Sequence, residues 1–554
     1  MVKNLKNFSN EIYAYALENA IEHGKTMSSV VMPKLFQHGL KKENIKDVMP
    51  EINKIVSEIN SMPSGERDKL FNNYKKFLPE KFVEEKGLKE LPNVSKKMVF
   101  RLAPEPSKYN HIGHALTFLL NYLYAKKYKG KCLLRFEDTN PEKVSQEYID
   151  SMKEDVIDYL DIKVDSIRYV SDDMKKLYDY AEQIIKMGKA YICFCDRDKM
   201  QDLRHKGIEC ECRKKNVKQN MLEWKKFISG DYKEGEAILR IKGDMKSLNH
   251  VMRDSVMFRI SSAQHYKYGT KYKAWPMYDF YNPIEDSIMG VTHILRSNEF
   301  DMRVELHDYI RNLLKLKSQT IVQYGRVNVI DAVTKGREIR DMIESGKFLG
   351  WDDPRLMTLR ALKRRGIVKE VYYELAENLG LNKNQVNIDF DLIASISRKL
   401  LDKKANRYFF VEDPVELKIE NAPNIKEIKV KFHPEENKMK TVELEKSIFV
   451  SNKDFNDFKG KNVRLMHLFN IKLDKKAKFI SIENDPKIRK IHWVSKGVKT
   501  KIMMPKGFWK YGLAEENIEK LKKGEIIQFE RFGFCKYEGK DRFNGDYEFW
   551  YTHD

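Results

Sequence analysis

The chain has 554 residues and a mass of 65.6 kDa, which is too long for one hydrophobic core and predicts about three to five domains. Lysine and arginine number 103 against 82 acidic residues, and the net charge of +21 favours a polyanionic partner, although a lysine-rich surface would give the same balance. No apolar run approaches the ~20 residues of a membrane span and the first residues lack a signal-peptide core, so we expect a cytoplasmic protein that does not enter a membrane.

The first 95 residues predict a helical domain without a catalytic grouping. Apolar residues recur at helical spacing in three segments, 11–23, 48–60 and 66–77. The segment 91–94, Leu-Pro-Asn-Val, is typical of a linker.

Alternating strands and helices from residue 96 onward predict a parallel sheet of the doubly wound type. The expected elements are strands at 97–103, 131–136 and 290–296 and a helix at 141–160 opened by Pro141. Residues 193–276 interrupt this rhythm and predict an inserted domain. Ligands of such sheets bind at the carboxyl ends of the strands, so the segments 101–115 and 137–140 are expected to share one site.

The turn after the first strand places two histidines at the mouth of a helix. His111, Gly113 and His114 stand in the sequence His-Ile-Gly-His, and apolar residues at helical spacing begin at Ala115. Unpaired backbone N–H groups at a helix start attract anions, Gly113 lets a ligand approach the backbone, and both rings can donate to one anion. The turn therefore predicts a phosphate site, whereas either histidine alone would more often be structural.

Four of the six cysteines form two Cys-x-Cys pairs in the inserted segment. Cys193, Cys195, Cys210 and Cys212 suit a closed tetrahedral zinc site, which would organise a small polar segment with little core of its own. Four reduced structural thiols remain the alternative, since Cys-x-Cys is less common in zinc sites than Cys-x-x-Cys.

Beyond residue 400 the pattern changes to alternating strands, such as 428–432 and 463–468, separated by proline and glycine. This pattern predicts an antiparallel β region built as barrels.

Two strings carry a resemblance to a known family. Arg101-Leu-Ala-Pro-Glu-Pro with His111-Ile-Gly-His114 resembles the first signature of class I aminoacyl-tRNA synthetases, in the form that glutamyl and glutaminyl enzymes have. Lys108, where that family usually has Gly, and Asn110, where it usually has an apolar residue, depart from the pattern.

The second signature of that family is a lysine-bearing loop, which Thr334-Lys335-Gly336 resembles. Gly336 stands where the family has Ser or Arg. The following Gly350-Trp-Asp-Asp-Pro-Arg-Leu356 is similar to the glutaminyl and archaeal-type glutamyl enzymes, and the likeness to the archaeal glutamyl type continues through 406–414 and 524–533.

The resemblance implies a multidomain α/β plus β fold. Its expected parts are an N-terminal helical domain (1–95), a class I Rossmann-like catalytic domain (96–192 and 277–330), an inserted acceptor-end-binding domain (193–276), a signature-loop and helical connector (331–400) and anticodon-binding β-barrels (401–554).

The resemblance also implies ATP-dependent activation of L-glutamate with Mg²⁺ and its transfer to tRNA(Glu), with tRNA(Gln) left open as a second acceptor. The oligomeric state is open, and a monomer is the default expectation. His111, His114 and Lys335 would be catalytic. ATP would be bound by Pro104, His111, Gly113, His114, Thr334 and Lys335. Glutamate would be bound by Arg101, Ala103, Glu105, Glu137, Tyr278, Asn282 and Arg296.

Arg296 favours glutamate over glutamine, because a guanidinium grips a carboxylate with two hydrogen bonds and would be costly when buried against a neutral amide. Three alternatives stay open: a glutaminyl-tRNA synthetase, a nucleotidyltransferase with the same signature, and a non-catalytic RNA-binding relative. The last is motivated by Gly336.

Overall fold

A computed structural model with side chains describes residues 8–78, 87–330, 332–333, 335–445 and 447–554. The chain divides into two compact units, with the division between Lys86 and Gly87. Among the residues described, no helix has the length and apolar character that a membrane crossing requires.

The first unit is helical. Its α-helices are Ser9–His23, Ser28–Lys34, Ile45–Ser61 and Ser64–Tyr74, and three of them correspond to the helices predicted from the apolar spacing. Ile52, Ile55 and Ile59 lie on one face of their helix and are buried in the core of this unit. The guanidinium of Arg67 donates to the carbonyls of Gly24 and Asn60, at 2.6 and 3.0 Å, and so satisfies backbone groups at two helix ends.

The second unit begins with parallel strands. Val99–Leu102, Lys131–Phe136 and Ser166–Tyr169 pair in that order, and His293–Ser297 pairs with Thr320–Tyr324. The two sets meet where the Thr292 amide donates to the Val99 carbonyl at 3.0 Å. The strand Lys131–Phe136 therefore lies on one side of Val99–Leu102, and the strand His293–Ser297 lies on its other side. This reversal of strand order forms a crevice in doubly wound sheets. The predicted fold class is confirmed.

Helices lie between these strands along the chain and follow the last of them. They are Ile112–Lys127, Gln146–Lys153, Met174–Lys186, Tyr278–Ile288, Val304–Leu313, Gly336–Glu344, Leu359–Arg365, Lys369–Leu379 and Phe390–Leu401. A short parallel pair, Val327–Val329 with Val386–Ile388, lies beside the connector helices.

Two predicted boundaries are wrong. The strand expected from residue 290 begins at His293, because Gly290 has a φ of 69° and belongs to the turn after the preceding helix. The helix expected to begin at Pro141 begins at Gln146, because the Ser145 hydroxyl accepts from the Tyr148 amide at 3.2 Å and caps the first turn. A π-helical turn, Glu154–Tyr159, continues it.

An antiparallel sheet interrupts the βα rhythm. Its strands, in order, are Ala190–Cys193, Ile238–Ile241, Val256–Ile260 and Ala274–Pro276, and the helices beside them are Arg197–Lys206 and Val217–Ser229. Trp224 and Trp275 are fully buried in the core that this sheet shares with the following helices.

The C-terminal part contains two curled sheets. The first has the order Arg407–Tyr408, Ile526–Phe529, Gly533–Lys540, Tyr547–His553, Gly497–Met503, Trp509–Glu515 and Phe410–Glu412. Its two edge strands are consecutive pieces of one segment, 407–412, so the backbone itself closes the sheet. The second has the order Ser447–Ser451, Pro414–Glu420, Lys476–Ser481, Asn470–Lys472, Asn462–Leu465 and Arg489–Ile491.

A bridge between Phe449 and Val494, with hydrogen bonds of 2.7 and 2.9 Å, brings the edges of this second sheet together. The predicted barrels are confirmed, and they contain parallel pairs, such as Gly497–Met503 with Tyr547–His553, as well as antiparallel ones. A separate hairpin pairs Glu427–Lys431 with Met439–Glu443, and the helix Asn452–Phe458 follows the strand Ser447–Ser451.

Candidate active site

A cavity of about 810 Å³ opens at the carboxyl ends of the parallel strands. Its lining includes Arg101, Ala103, Pro104, Glu105, His111, Gly113, His114, Glu137, Tyr278 and Arg296, all of them predicted site residues. A volume of this size is enough for a nucleotide and an amino acid together. The crevice of the sheet thus brings both predicted groups of residues to one place.

The histidine turn is built by hydrogen bonds from the backbone to the imidazoles. The Gly113 amide donates to Nδ1 of His111 at 3.1 Å, and the His111 amide donates to Nδ1 of His114 at 3.1 Å. Each ring therefore keeps its proton on Nε2. A Cβ on Gly113 would lie 3.0 Å from Cε1 of His111, so glycine is needed for the ring to stack over the helix start.

Both imidazoles are held neutral. Burial, followed by the charge of Lys108, lowers the pKa of His111 to about 3. Burial, the neighbouring His111 and Lys108 lower the pKa of His114 well below its ordinary value. At neutral pH each ring is thus a single N–H donor, suited to hold a phosphate oxygen without accepting its proton.

The turn is anchored to the segment that follows the second signature. The Leu359 amide donates to the Asn110 carbonyl at 2.9 Å, and the Ile112 amide donates to the Met357 carbonyl at 3.4 Å. The Asn110 side chain, which departs from the family pattern, donates to Asp155 at 3.1 Å. Burial raises the pKa of Asp155 to about 7, so this carboxyl is largely protonated in the folded protein at mildly acidic pH.

Arg101 belongs to a buried ionic network. Its Nε donates to Asp286 at 3.1 Å, and Arg135 bridges Asp286 at 2.6 Å and Glu137 at 2.9 Å. Although burial opposes ionisation, the charges of Arg101 and Arg135 lower the pKa of Asp286, which is fully buried. Arg101 is therefore neutralised within the chain and contributes mainly to the wall of the cavity.

Arg296 has a different environment. It is 4% exposed, and its Nη1 lies 3.3 Å from the Tyr278 hydroxyl. Its Nε and Nη2 are buried and have no hydrogen-bond partner in the described part of the chain. Burial lowers the pKa of Arg296, yet a guanidinium stays charged at any ordinary pH. A charged fork with two unused donors beside a cavity is a site for an anion.

Glu137 supplies the negative charge opposite these arginines. Asn282 donates to its carboxylate at 3.1 Å and Tyr281 at 3.3 Å. Asn282 is fully buried and does not line the cavity, so the structure places it behind Glu137. Tyr281 does line the cavity and was missed in the sequence, although it lies one helical turn after Tyr278.

The second signature loop lies partly outside the described residues, since Thr334 is not among them. Lys335 does not line the cavity; its ammonium pairs with Glu338 at 2.9 Å, and its side chain is 79% exposed. The structure therefore does not bring Lys335 to the two histidines.

Three cavity arginines could not be found from a motif, and one of them, Arg326, pairs with Glu299 at 2.8 Å. Arg259 donates to Asn140 at 2.7 Å and pairs with Glu142 at 3.1 Å, and Arg303 pairs with Asp279. None of the three belongs to a motif, and no local pattern distinguishes them from surface arginines.

The four cysteines predicted to bind zinc lie together. The Sγ atoms of Cys193, Cys195, Cys210 and Cys212 are within 4.8 Å of one another, and all four thiols are free. The guanidinium of Arg240 lies 3.6 and 3.8 Å from the sulfurs of Cys210 and Cys193, where it would offset thiolate charge. The donor set and its compactness fit a tetrahedral metal ion.

Comparison with known families decides the assignment. The model for the catalytic domain of class I tRNA synthetases (E and Q) matches residues 97–403, and two models for the anticodon-binding domain of the same family match 405–487 and 490–538. The chain belongs to this family. The resemblance inferred from the two signatures is confirmed, and ATP is implied as a substrate.

Curated relatives of this class I synthetase align along almost its full length. The glutamate–tRNA ligase of Pyrococcus abyssi is 41% identical over 94% of this chain and 96% of the relative, and that of Pyrococcus furiosus is 40% identical over 94% and 96%. A crystal structure of the glutamate–tRNA synthetase from Elizabethkingia anophelis is 19% identical with a TM-score of 0.40, covering 56% of this chain and 72% of the other. A likeness that low does not bear on the assignment.

Proposed function

We propose that this class I synthetase is a glutamate–tRNA ligase. The observation that carries the proposal is the buried guanidinium of Arg296, which has two unused donors at the edge of a cavity. A carboxylate side chain would satisfy both donors, whereas the neutral amide of glutamine would leave the charge unpaired. The names of the archaeal relatives agree with this choice of amino acid.

In the first step the α-carboxylate of glutamate attacks the α-phosphorus of ATP in line, the bond to the bridging oxygen breaks, and pyrophosphate leaves. Positioning and charge stabilisation supply most of the catalysis, because no protein nucleophile is needed. His111 and His114 would donate from Nε2 to phosphate oxygens, Glu137 would hold the ammonium group of the amino acid, and Arg296 its side-chain carboxylate.

In this step Lys335 would move from its surface pair with Glu338 onto the β- and γ-phosphates. An exposed pair of this kind is worth at most about 1 kcal/mol, so its loss is a small barrier to that movement.

In the second step the terminal ribose hydroxyl of tRNA attacks the carbonyl of glutamyl-adenylate and AMP leaves.

Mg²⁺ is expected to enter with ATP, because sites of this kind bind it through substrate phosphates and one or two carboxylates, and it would neutralise the departing pyrophosphate. A structural zinc ion is proposed at the four cysteines, where it would hold the inserted sheet together. Metal analysis of the purified chain should find about one zinc per molecule and less in Cys210→Ser; zinc-free protein would leave four reduced thiols as the better description.

The proposal is tested by pyrophosphate exchange with cognate tRNA present. Glutamate should support exchange and glutamine should not. Equal use of glutamine would instead identify a glutaminyl enzyme, and absence of exchange with both would favour a non-catalytic RNA-binding protein.

Three further proposals concern the second tRNA acceptor, the oligomeric state and the cellular location. The +21 charge suits an RNA partner, and we propose that the chain works as a monomer in the cytoplasm, where ATP and tRNA are available together. Charging purified tRNA(Glu) and tRNA(Gln) with labelled glutamate would decide whether both are acceptors.

A further inference from the structure

The histidine turn carries a lysine that the reaction described above leaves unused. Lys108 precedes His111 by three residues, at a position where the family usually has Gly, and it lines the cavity with both histidines. Among the described residues its ammonium has no hydrogen bond or ion pair. Burial lowers the pKa of Lys108, and the carboxylate of Glu105 acts in the opposite direction.

The charge of this lysine reaches the phosphate-binding histidines. After burial, Lys108 is the group that lowers the pKa of His111, and it also lowers the pKa of His114. An anion bound between the two imidazoles would therefore be attracted by the Lys108 ammonium as well.

The second signature loop leaves room for Lys108. A Cβ built on Gly336 would stand 3.3 Å from both Cβ and Cδ of Lys108, tighter than an ordinary contact. Lys108 and Gly336, two of the three positions that depart from the family pattern, are thus neighbours in space, although they lie 228 positions apart in the sequence. A serine at 336 would push against the lysine stem, so the glycine accommodates the lysine.

The two lysines near this loop, Lys108 and Lys335, differ in whether they face the cavity and in whether they have a partner. Lys335 is exposed and paired with Glu338, whereas Lys108 lines the cavity and is unpaired in the described part of the chain. A lysine ammonium is a compact charge that suits phosphate oxygens.

We propose that Lys108 is an additional phosphate-binding residue, which holds the phosphate chain of ATP from the side of the histidine turn and acts together with Lys335. This assignment rests on the proposed function for its place in the reaction. Lys108 would contribute charge stabilisation as negative charge builds on the leaving pyrophosphate.

The test is ATP binding by the full chain, measured by titration calorimetry. Lys108→Gln should weaken ATP binding ~10-fold, the scale of one charged hydrogen bond, and Lys108→Arg should restore most of it. Lys97→Gln is the control, because it removes one exposed lysine that precedes the strand Val99–Leu102 and does not line the cavity, so it should leave ATP binding unchanged. Lys108→Gln that binds ATP as tightly as the wild type would overturn the assignment.

A second pair of variants separates phosphate binding from a purely structural role. Gly336→Ala should weaken ATP binding a few-fold in the wild-type background, because its methyl group displaces the Lys108 stem, and should have no such effect in Lys108→Gly. An equal effect in both backgrounds would contradict the contact on which the inference depends.

The kinetic outcome distinguishes this inference from the proposed function. In pyrophosphate exchange Lys108→Gln should raise the KM for ATP and leave the KM for glutamate unchanged. A wild type without glutamate-dependent exchange would remove the proposed function, and the calorimetric difference between wild type and Lys108→Gln would still decide the role of Lys108.

Discussion

Arg101 and Arg296 lie on two neighbouring strands, Val99–Leu102 and His293–Ser297, and are buried to a similar extent, at 6% and 4% exposure, yet their partners differ. Arg101 is neutralised by Asp286, whereas two donors of Arg296 have no partner among the described residues. Removing an ion from water is costly unless another charge compensates it. The comparison teaches that a paired buried cation builds the wall of the cavity and that an unpaired one is available to a ligand.

Lys335 gives the strongest test of this rule, because it is paired with Glu338 within the chain and is still expected to bind ATP. Lys335→Ala should lower glutamate-dependent pyrophosphate exchange at least ~100-fold, the scale of one lost transition-state charge. Glu338→Gln is the control: it frees the lysine and should leave the rate near that of the wild type. An unchanged rate in Lys335→Ala would discard the role of this lysine.

Arg296→Ala tests whether the unpaired arginine of the comparison binds the substrate. The KM for glutamate should rise up to ~100-fold, because a hydrogen-bonded ion pair with the substrate is lost. The free energy of unfolding of the free enzyme should not fall, since the variant removes a buried charge that has no anionic partner in the described part of the chain and two donors without a hydrogen bond. A loss of stability with normal KM would mean that Arg296 is structural.

Arg101→Met tests the other half of the comparison, the structural role of Arg101. The free energy of unfolding should fall by about 2 kcal/mol, less than for a fully isolated ion, because Asp286 keeps its pair with Arg135. Chemical denaturation at neutral pH measures this change. If Arg101→Met instead raised only the KM for glutamate, the two arginines would have equivalent roles.

Asp155 extends the comparison to carboxyls. Unlike Asp286 it has an amide partner and no arginine pair, and burial raises its pKa from 3.8 to about 7. The unfolded chain therefore loses its proton first, so stability falls as pH rises through the window between these values. Asp155→Asn should abolish this loss and raise the Tm by about 2–4 °C relative to the wild type at pH 7, with a smaller gap at pH 4. A gap independent of pH would show that Asp155 is ionised in the folded protein.

The role of Arg296 follows from the family resemblance and stays a prediction. The sequence itself indicated the strand and the histidine turn, because each is encoded within a few residues. It did not indicate that Asp286 neutralises Arg101, since the two lie 185 positions apart. Nor did it separate Asn282, which supports Glu137, from the residues that face the cavity. Local spacing determines a helix or strand and its cap. Whether a side chain faces a ligand or pairs with another residue of the chain depends on which distant strands and helices meet.

The hydrogen bonds at Arg365 bear on how this protein can be dissected. Arg365 is 4% exposed, its guanidinium donates to the Thr552 carbonyl at 2.9 Å, and the Thr552 hydroxyl donates back to its carbonyl. A fragment that stops near residue 403, where the catalytic family match ends, would expose this arginine and strip its helix of that support. Because the same helix begins at Leu359, which is bonded to Asn110, the isolated fragment would report on a loosened histidine turn rather than on the native one.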